Sequence, residues 1–386
     1  MKIAQREFPH LTAPMAALRI AKAQVSPLPP VPIARCSHGD TSIYRCLQRE
    51  TKMQNRWSFL FATLIGIGIV ALAGGSGAQN GGGTSSLKTG TRLITLGTRG
   101  GPGPMVGRAQ ASNILIVNGA LYIVDAGEGV TRRLTRAGIA IRDIDNIFIT
   151  HPHSDHTGGL GGLLSSEYDS NRTRPVNIYG PPGTDASVKP LVQFLAVSAD
   201  IRISEGMRTV PPVKIFFGHD TGTGTIYQDA NVKVTAVENS HFNFVPGTPA
   251  YGKYKSYSYR FETPDRVIVF SGDTGPSAAL TALAEGADLL VTEVISVEEW
   301  KEQQIKTGQW QSMTPEQQSR AFRRQVEEHI TPDEIGKLAT RAHVKTVVLS
   351  HFLPATDPKD EYERLGEQVN KHFSGKVLVA KDLMEF

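Results

Sequence analysis

The chain has 386 residues, 41 Lys and Arg against 37 Asp and Glu, and a formal net charge of +4. With 40% hydrophobic residues, 20% charged residues and 38 glycines, it cannot be wholly disordered, collagen-like or a multi-span membrane protein. The length suits one layered α/β domain with a core of normal size. A pI near 8.9 raises the question of an anionic partner, which depends on where the charges sit.

They sit unevenly. Phe59 to Ala73 (FLFATLIGIGIVALA) is an uncharged apolar run, with Arg56 before it and small residues after it up to Ala78. A positive, an apolar and a small-residue region in succession predict a secretory signal peptide over 53–78. The run is shorter than the about 20 apolar residues of a membrane span; an uncleaved anchor is the alternative. Either way the remainder is expected to be exported, periplasmic or secreted, with no stable membrane insertion once the signal is cleaved. Met53 stands where such a signal would start, so residues 1–52 read as a leader or a mis-assigned start. Both cysteines, Cys36 and Cys46, lie there, which leaves the remainder without disulfide or thiol nucleophile. Residues 1–78 hold nine of the 41 basic and three of the 37 acidic side chains, leaving 32 and 34, a net of −2. Residues 79–90, with Asn80 to Ser86 (NGGGTSS), read as a flexible linker, and 91–386 as the folded domain.

Within that domain, Arg92–Leu96 reads as a strand ending in a Gly/Pro loop, Gly97–Gly107. Asn113–Val117 and Leu121–Val124 alternate and are joined by Asn118-Gly119, a hairpin signal. Asp125 closes the second strand, Val130–Ala137 is helical in pattern, and Asn146–Thr150 (NIFIT) is a short apolar strand. Further strands are expected at Val176–Tyr179, Val213–Phe217, Val232–Val237, Tyr257–Phe261, Val267–Phe270, Leu289–Thr292 and Thr346–Leu349. Helices are expected at Gly159–Tyr168, Ser277–Glu285, Pro315–Glu328, Pro332–Ala342 and Asp360–Phe373. Two sheets covered by helices, a four-layer αββα sandwich in a single α/β domain, fit this order.

Directly after the NIFIT strand comes Thr150-His151-Pro152-His153-Ser154-Asp155-His156. Three imidazoles and a carboxylate in six positions can be aimed by one turn into one space. Those donors suit zinc and other borderline divalent metals.

This segment resembles the signature of the metallo-β-lactamase superfamily, and the resemblance extends from about Leu93 to the C-terminus. It implies the αββα fold and two divalent metal ions: zinc, with manganese or iron as alternatives. One ion would be held by His151, His153 and His241, the other by Asp155, His156 and His351, with Asp273 bridging both. His241, Asp273 and His351 each lie at or just beyond an apolar run, as rigid metal sites require. Asp125 is expected to orient the histidine loop, with a strand-end turn former as the alternative.

Within the superfamily the chain is most similar to the branch of ribonuclease Z, arylsulfatase-like enzymes and related phosphodiesterases. The carriers are Pro175–Pro181 (PVNIYGP), Gly272–Pro276 (GDTGP), and His329-Ile330-Thr331 ahead of a helix. In that branch the histidine of the last element faces the scissile ester, a role carried to His329. Thr331 also suits a helix N-cap, with Glu334 three residues on. Of the usual His-Glu-Ala-Thr after the bridging aspartate only Glu293 remains; it would orient His329 or form a buried ion pair. The charged, Gln-rich stretch from Ser296 to Glu328 reads as a lid, a homodimer contact or a solvated helix pair.

The resemblance implies hydrolysis of a phosphodiester or sulfate ester, with water activated by the metal pair. Asp155 would accept the water proton and His329 would act as general acid. Loops Gly97–Gly107, Pro181–Asp185 and His241–Tyr251 would line the mouth. A β-lactam or lactone substrate is the alternative, although His241 sits in Asn-Ser-His-Phe rather than the Pro-Gly-His-Thr of those branches. Processing of tRNA 3′ ends ranks behind both, since no long basic arm is seen and the protein is read as exported. The expected partner is therefore a small anionic ester, with no nucleic acid.

Overall fold

Successive side chains of a strand point to opposite faces, and here both faces are apolar. In β1 (Thr91–Gly97) and β2 (Ser112–Val117), Ile94, Leu96, Ile114 and Ile116 enter one core, and Leu93, Leu115 and Val117 enter another. Such strands need cover on both sides. The computed structural model describes residues 90–355 and 362–386. The leader, signal-peptide and anchor readings lie outside the described residues, as do residues 79–89 of the linker and the first two positions of the helix expected over 360–373.

The first sheet runs β14-β1-β2-β3-β4-β5-β6. Its other members are β3 (Ala120–Ala126), β4 (Asn146–Phe148), β5 (Val176–Gly180), β6 (Phe216–Asp220) and β14 (Met384–Glu385). The second runs β13-β12-β11-β10-β9-β8-β7. It comprises β7 (Gly224–Gln228), β8 (Lys233–Glu238), β9 (Tyr257–Glu262), β10 (Val267–Phe270), β11 (Leu289–Ile295), β12 (Thr346–Leu353) and β13 (Lys376–Val379).

Helices α1 (Val130–Arg136), α3 (Leu160–Asp169) and α4 (Thr184–Ser204) cover the outer face of the first sheet, through Leu134, Leu163, Leu164, Val188 and Leu195. The short α2 (Ser154–Thr157) lies between α1 and α3 in the chain. Helices α5 (Ala278–Leu283), α8 (Pro332–Arg341) and α9 (Glu363–Val369) cover the second sheet. Between the sheets, Leu115, Tyr122, Val124 and Phe148 meet Val234, Tyr259, Phe261 and Phe270. Three cores thus separate four layers, and the αββα expectation is met.

Strands β3 to β6 are parallel, as are β10 to β13. Their carboxyl ends therefore share an edge within each sheet, the place where open α/β sheets bind ligands. Beneath that edge the sheets are tied together. Tyr257 N donates to Thr150 O at 2.9 Å and Tyr259 Oη to Ile149 O at 2.7 Å.

The Asn118-Gly119 turn closes the β2–β3 hairpin with both residues at positive φ, 50° and 88°, as a tight hairpin requires. Elsewhere the sequence misled. The strand expected at Val213–Phe217 begins only at Phe216, because Pro212–Lys214 forms a 3₁₀ turn. Proline fixes φ and cannot donate to a ladder. Helix α4 was not expected; Pro190 lies inside it, and exposed Phe194, Val197 and Ile201 blur its apolar period. Thr331 does stand at the N-cap of α8 but makes no capping bond; Glu334 pairs with Lys337 at 2.6 Å instead. Among the described residues no helix is long and apolar enough to cross a membrane.

Glu167, on α3, is buried with neither carboxylate oxygen hydrogen-bonded, and Arg172 Nη1 lies 3.6 Å away. Burial pushes its pKa up to about 8 in spite of Arg172. An acid whose pKa is raised on folding contributes most below its unfolded pKa, and that contribution is lost as pH rises through the folded value. Glu167→Gln is therefore expected to gain on the wild type, in urea midpoint, as pH rises from about 5 to about 9. Parallel curves would refute the buried-acid reading.

Candidate metal centre

The histidine loop is fixed by a carboxylate beneath it. Asp125, at the end of β3, accepts the Thr150 N–H at 2.7 Å and the Thr150 hydroxyl at 2.9 Å. His156 Nδ1 donates to the same carboxylate at 2.8 Å. That bond leaves Nε2 as the lone-pair nitrogen, turned away from Asp125. Asp125 and His351 both hold positive φ, 62° and 44°. Such strain in non-glycine residues collects at functional sites.

Two groups of donors converge above this base. In the first, His151 Nε2 and His241 Nε2 each lie 3.1 Å from His153 Nδ1. His241 Nδ1 donates to the carbonyl of Glu328 at 2.9 Å, so its Nε2 also presents a lone pair. In the second, His156 Nε2 and His351 Nε2 are 3.1 Å apart, and Asp155 Oδ2 lies 3.2 Å from His351 Nε2. Asp273 stands between the groups. Its Oδ1 is 3.2 Å from both His156 Nε2 and His351 Nε2; its Oδ2 is 3.9 Å from His151 Nε2 and 4.0 Å from His241 Nε2. The structure thus brings together all seven residues expected as ligands.

The electrostatics of the groups differ. Burial drives His241 down to about 3 and His151 and His153 below the usual imidazole range, so this trio is neutral. His156 and His351 are raised: burial would lower them, but Asp273 and the neighbouring aspartates prevail. Asp155 is held below the carboxylate range against its burial, chiefly by His156 and His351. The second group is therefore a negative pocket that draws positive charge.

These features fit bound divalent metal ions. Lone pairs a little over 3 Å apart repel unless a cation lies among them. Asp273 Oδ1 is buried with no hydrogen-bond partner, a cost of about 1–3 kcal/mol if nothing satisfies it. Imidazole nitrogen and carboxylate oxygen form a zinc-type donor set.

Helix α7 (Pro315–Glu328) completes the site. Its carboxyl end rests on the turn after Asp273, where a Cβ on Gly275 would lie 1.8 Å from the Glu327 carbonyl oxygen; only glycine fits. His329 follows immediately. Glu293, buried in β11, accepts the Thr274 N–H with Oε1 and lies 2.7 Å from His329 Nδ1 through Oε2. Burial would lower the His329 pKa, but Glu293 and Asp273 raise it to about 9. At neutral pH the imidazole is a cation with Nδ1 engaged and Nε2 left for a ligand. His241, Asp273 and His329 also form a third grouping able to hold a metal, but Glu293 occupies the His329 nitrogen nearest Asp273.

A cavity of about 310 Å³ opens over the centre, lined by His153, Asp155, His241, Asp273 and His329. Gly101 and Pro102 form one wall, as the sequence led us to expect. Pro181–Asp185 does not line it: Thr184 is buried at the start of α4, and Asp185 N bonds Asp220 Oδ1 at the sheet edge. The other wall is the helix pair α6 (Val297–Lys306) and α7, contributing Trp300, Arg324 and Gln325. Ser296 caps α6, a Thr314–Gln317 capping box starts α7, and Trp300 meets Trp310 edge-on at 6.2 Å. Sequence reasoning missed Thr150, Gly275 and Arg324. Thr150 left a signal by directly preceding the first histidine, and Gly275 by lying in the GDTGP turn; Arg324 left none.

A buried His/Asp constellation at the strand ends of an αββα sandwich defines a metal-dependent hydrolase. Residues 121–352 match the family described as Beta-lactamase superfamily domain. Ribonuclease Z of Mycobacterium sp. (strain KMS) is 32% identical over 272 residues, 69% of this chain and 86% of the relative. Ribonuclease Z of Mycobacterium bovis (strain BCG / Pasteur 1173P2) is 30% identical over 295 residues, 75% and 96%. Among solved structures, the metallo-β-lactamase fold protein YhfI of Bacillus subtilis aligns with TM-score 0.53 and 17% identity, covering 77% of this chain and 99% of its own. Human tRNase Z, short form, aligns with TM-score 0.52 and 21% identity, covering 76% and 98%. These two likenesses show the fold. The chain belongs to the metallo-β-lactamase superfamily and is a ribonuclease Z-like, metal-dependent hydrolase of phosphodiester or ester bonds.

One expectation is overturned. A small anionic ester with no nucleic acid was inferred from the lack of a basic arm and the expected export, with a net charge of −2 removing the basic pI as an argument, yet the curated relatives are ribonucleases. Net charge averages over the whole surface and is blind to arginines gathered at one place.

Asp273→Ala removes the carboxylate that stands between the two groups. It is expected to lose most bound metal by mass spectrometry of the purified protein, whereas His329→Ala retains it. Full metal content in the first variant would exclude a bridging role, and loss in the second would move His329 into the ligand set.

Proposed function

We propose that the protein is a two-metal phosphodiesterase and that its substrate is a phosphodiester linkage of RNA. The Glu293–His329 pair at the mouth of the centre carries this reading. A sugar oxygen leaves poorly unless protonated, and a cationic imidazole held by a buried carboxylate is a positioned acid. A strained lactam ring makes less demand on such a group. The ribonuclease Z relatives support the same substrate class.

His151, His153 and His241 would hold one ion, and Asp155, His156 and His351 the other, with Asp273 between. Divalent ions bound there supply Lewis-acid stabilisation of phosphoryl oxygens and acidify water. Asp155 is kept ionised chiefly by His156 and His351 and is oriented by the Gly101 N–H, which donates to Oδ2 at 2.8 Å; its other oxygen is able to take a proton. His329 delivers a proton from Nε2 to the leaving oxygen, while Glu293 holds Nδ1 and keeps the ring charged. Trp300 and helix α7 restrict water at the mouth.

The test is turnover by the zinc- or manganese-loaded protein of a short oligoribonucleotide, a bis-aryl phosphate, an aryl sulfate, a chromogenic lactam and a lactone. Both phosphodiesters should be cleaved; turnover confined to the sulfate, the lactam or the lactone would defeat the proposal. His329→Ala should lower kcat on RNA by about 10²–10⁴-fold. It should act less on the bis-aryl phosphate, whose aryl oxide leaves unaided.

The acid must be protonated, so kcat/KM should fall as pH rises through about 9. Glu293→Gln, by removing the charge that raises His329, should move that limb to lower pH. An unmoved limb would separate it from this pair.

A further inference from the structure

Beside the catalytic cavity lies a second, of about 760 Å³, between the chain from Phe242 to Pro246 and one face of α7. The two share His153 and Arg324, so the groove opens directly onto the first donor group. One wall is aromatic. Phe242 and Phe244 stack with centroids 5.2 Å apart at 24°, and Phe242 meets His153 edge-on at 5.2 Å. The other wall carries Arg320, Arg323 and Arg324, whose spacing along a helix places them together.

The groove is not uniformly basic. Glu316, Glu327 and Glu328 also line it. Two of these are engaged: Glu328 Oε2 is 2.6 Å from Arg324 Nε, and Glu327 Oε2 accepts from Asn243 Nδ2 at 3.0 Å. Glu316 lies in the first turn of α7, where a carboxylate complements the helix end. Arg320 and Arg323 have no ion pair among the described residues. Two uncommitted guanidinium groups therefore face a stacked aromatic pair. The rail that bears them is fixed at both ends, by the Thr314 capping box and by the Glu328 carbonyl that receives His241 Nδ1–H.

Planar aromatic platforms facing cations are the pattern that holds single-stranded nucleic acid, with bases on the rings and phosphates on the arginines. We propose that this groove binds the single-stranded nucleotides adjoining the scissile linkage: Phe242 and Phe244 stack a base, and Arg320 and Arg323 hold the phosphates beyond it. The inference rests on the phosphodiesterase reading and adds the part of the substrate that it leaves unspecified.

The test compares Arg320→Ala/Arg323→Ala and Phe244→Ala with wild type, all metal-loaded, on a hexaribonucleotide and on a bis-aryl phosphate, which has no flanking nucleotide. Expected is a loss of about tenfold in kcat/KM on the hexaribonucleotide, carried mainly by KM, with the bis-aryl phosphate within about twofold of wild type. The arginine variant should also show a shallower salt dependence, and Arg320→Lys/Arg323→Lys should recover most of the loss. Equal losses on both substrates, or none on the hexaribonucleotide, would overturn the subsite. A wild type that cleaves the bis-aryl phosphate but neither cleaves nor binds the hexaribonucleotide would overturn it too, and leave the phosphodiesterase reading standing.

If no phosphodiester is cleaved, that reading fails and binding alone decides the subsite. Anisotropy with a non-cleavable phosphorothioate hexanucleotide should then show about tenfold weaker binding by the variants; equal binding would overturn it. Competition by hexaglutamate as strong as by the oligonucleotide would also overturn it, by showing a site for anions without bases.

Discussion

Seven lone-pair donors share one space, six of them buried and His153 half-buried, and the rest of the fold holds them there against mutual repulsion. Nitrogen and carboxylate atoms at 3.1–3.2 Å from one another are stable only with cations among them or with protons borrowed from solvent. The fold resists relaxation from several sides. Asp125 locks His156 and the loop from below, the Glu328 carbonyl locks His241, β11 and β12 carry Glu293 and His351, and the turn after β10 carries Asp273. The two sheets are tied under the loop by Tyr257 and Tyr259, so the donors cannot drift apart without parting the sandwich. This is how a rigid scaffold prepares a metal site before the metal arrives.

Much of this was legible in the sequence because it is local. His151, His153, Asp155 and His156 lie within six positions, and an apolar strand announces their base. His241, Asp273 and His351 are isolated in sequence, but each closes an apolar run, and strand ends are where α/β sheets display side chains. The layering could be read from the order of strands and helices; the alternation expected of β2 did not hold, since all six of its residues are buried, as a sheet covered on both faces requires.

What could not be read depends on where distant segments land. Nothing in Pro181–Asp185 says that it begins a helix rather than lining the mouth, because Pro190 and the exposed Phe194 and Val197 hide the period of α4. The Gln-rich stretch before His329 left a lid, a homodimer contact and a solvated helix pair open, and nothing in it selects the placement by which α7 walls the cavity. That placement rests on one missing Cβ at Gly275 and one carbonyl at Glu328. Charge failed for the same reason. A net of −2 over residues 79–386 is an average, whereas Arg320, Arg323 and Arg324 act within a helical turn of each other. An argument from composition cannot find a patch, and it pointed away from nucleic acid although the relatives are ribonucleases.

Helix α7 therefore does two things with one backbone. Its last carbonyl orients His241, its next residue is His329, the proposed acid, and its side chains face the groove leading to both. A ligand that pulled on Arg320 or Arg323 would load a helix whose end is a partner of a metal-binding imidazole. That helix is already held at both ends, by the Thr314 capping box and the bond from His241 to the Glu328 carbonyl, so under the proposed subsite the load adds uniform binding, which lowers KM and leaves kcat little changed. A substrate without flanking nucleotides would then meet the same donors and the same proposed acid, lacking only that binding.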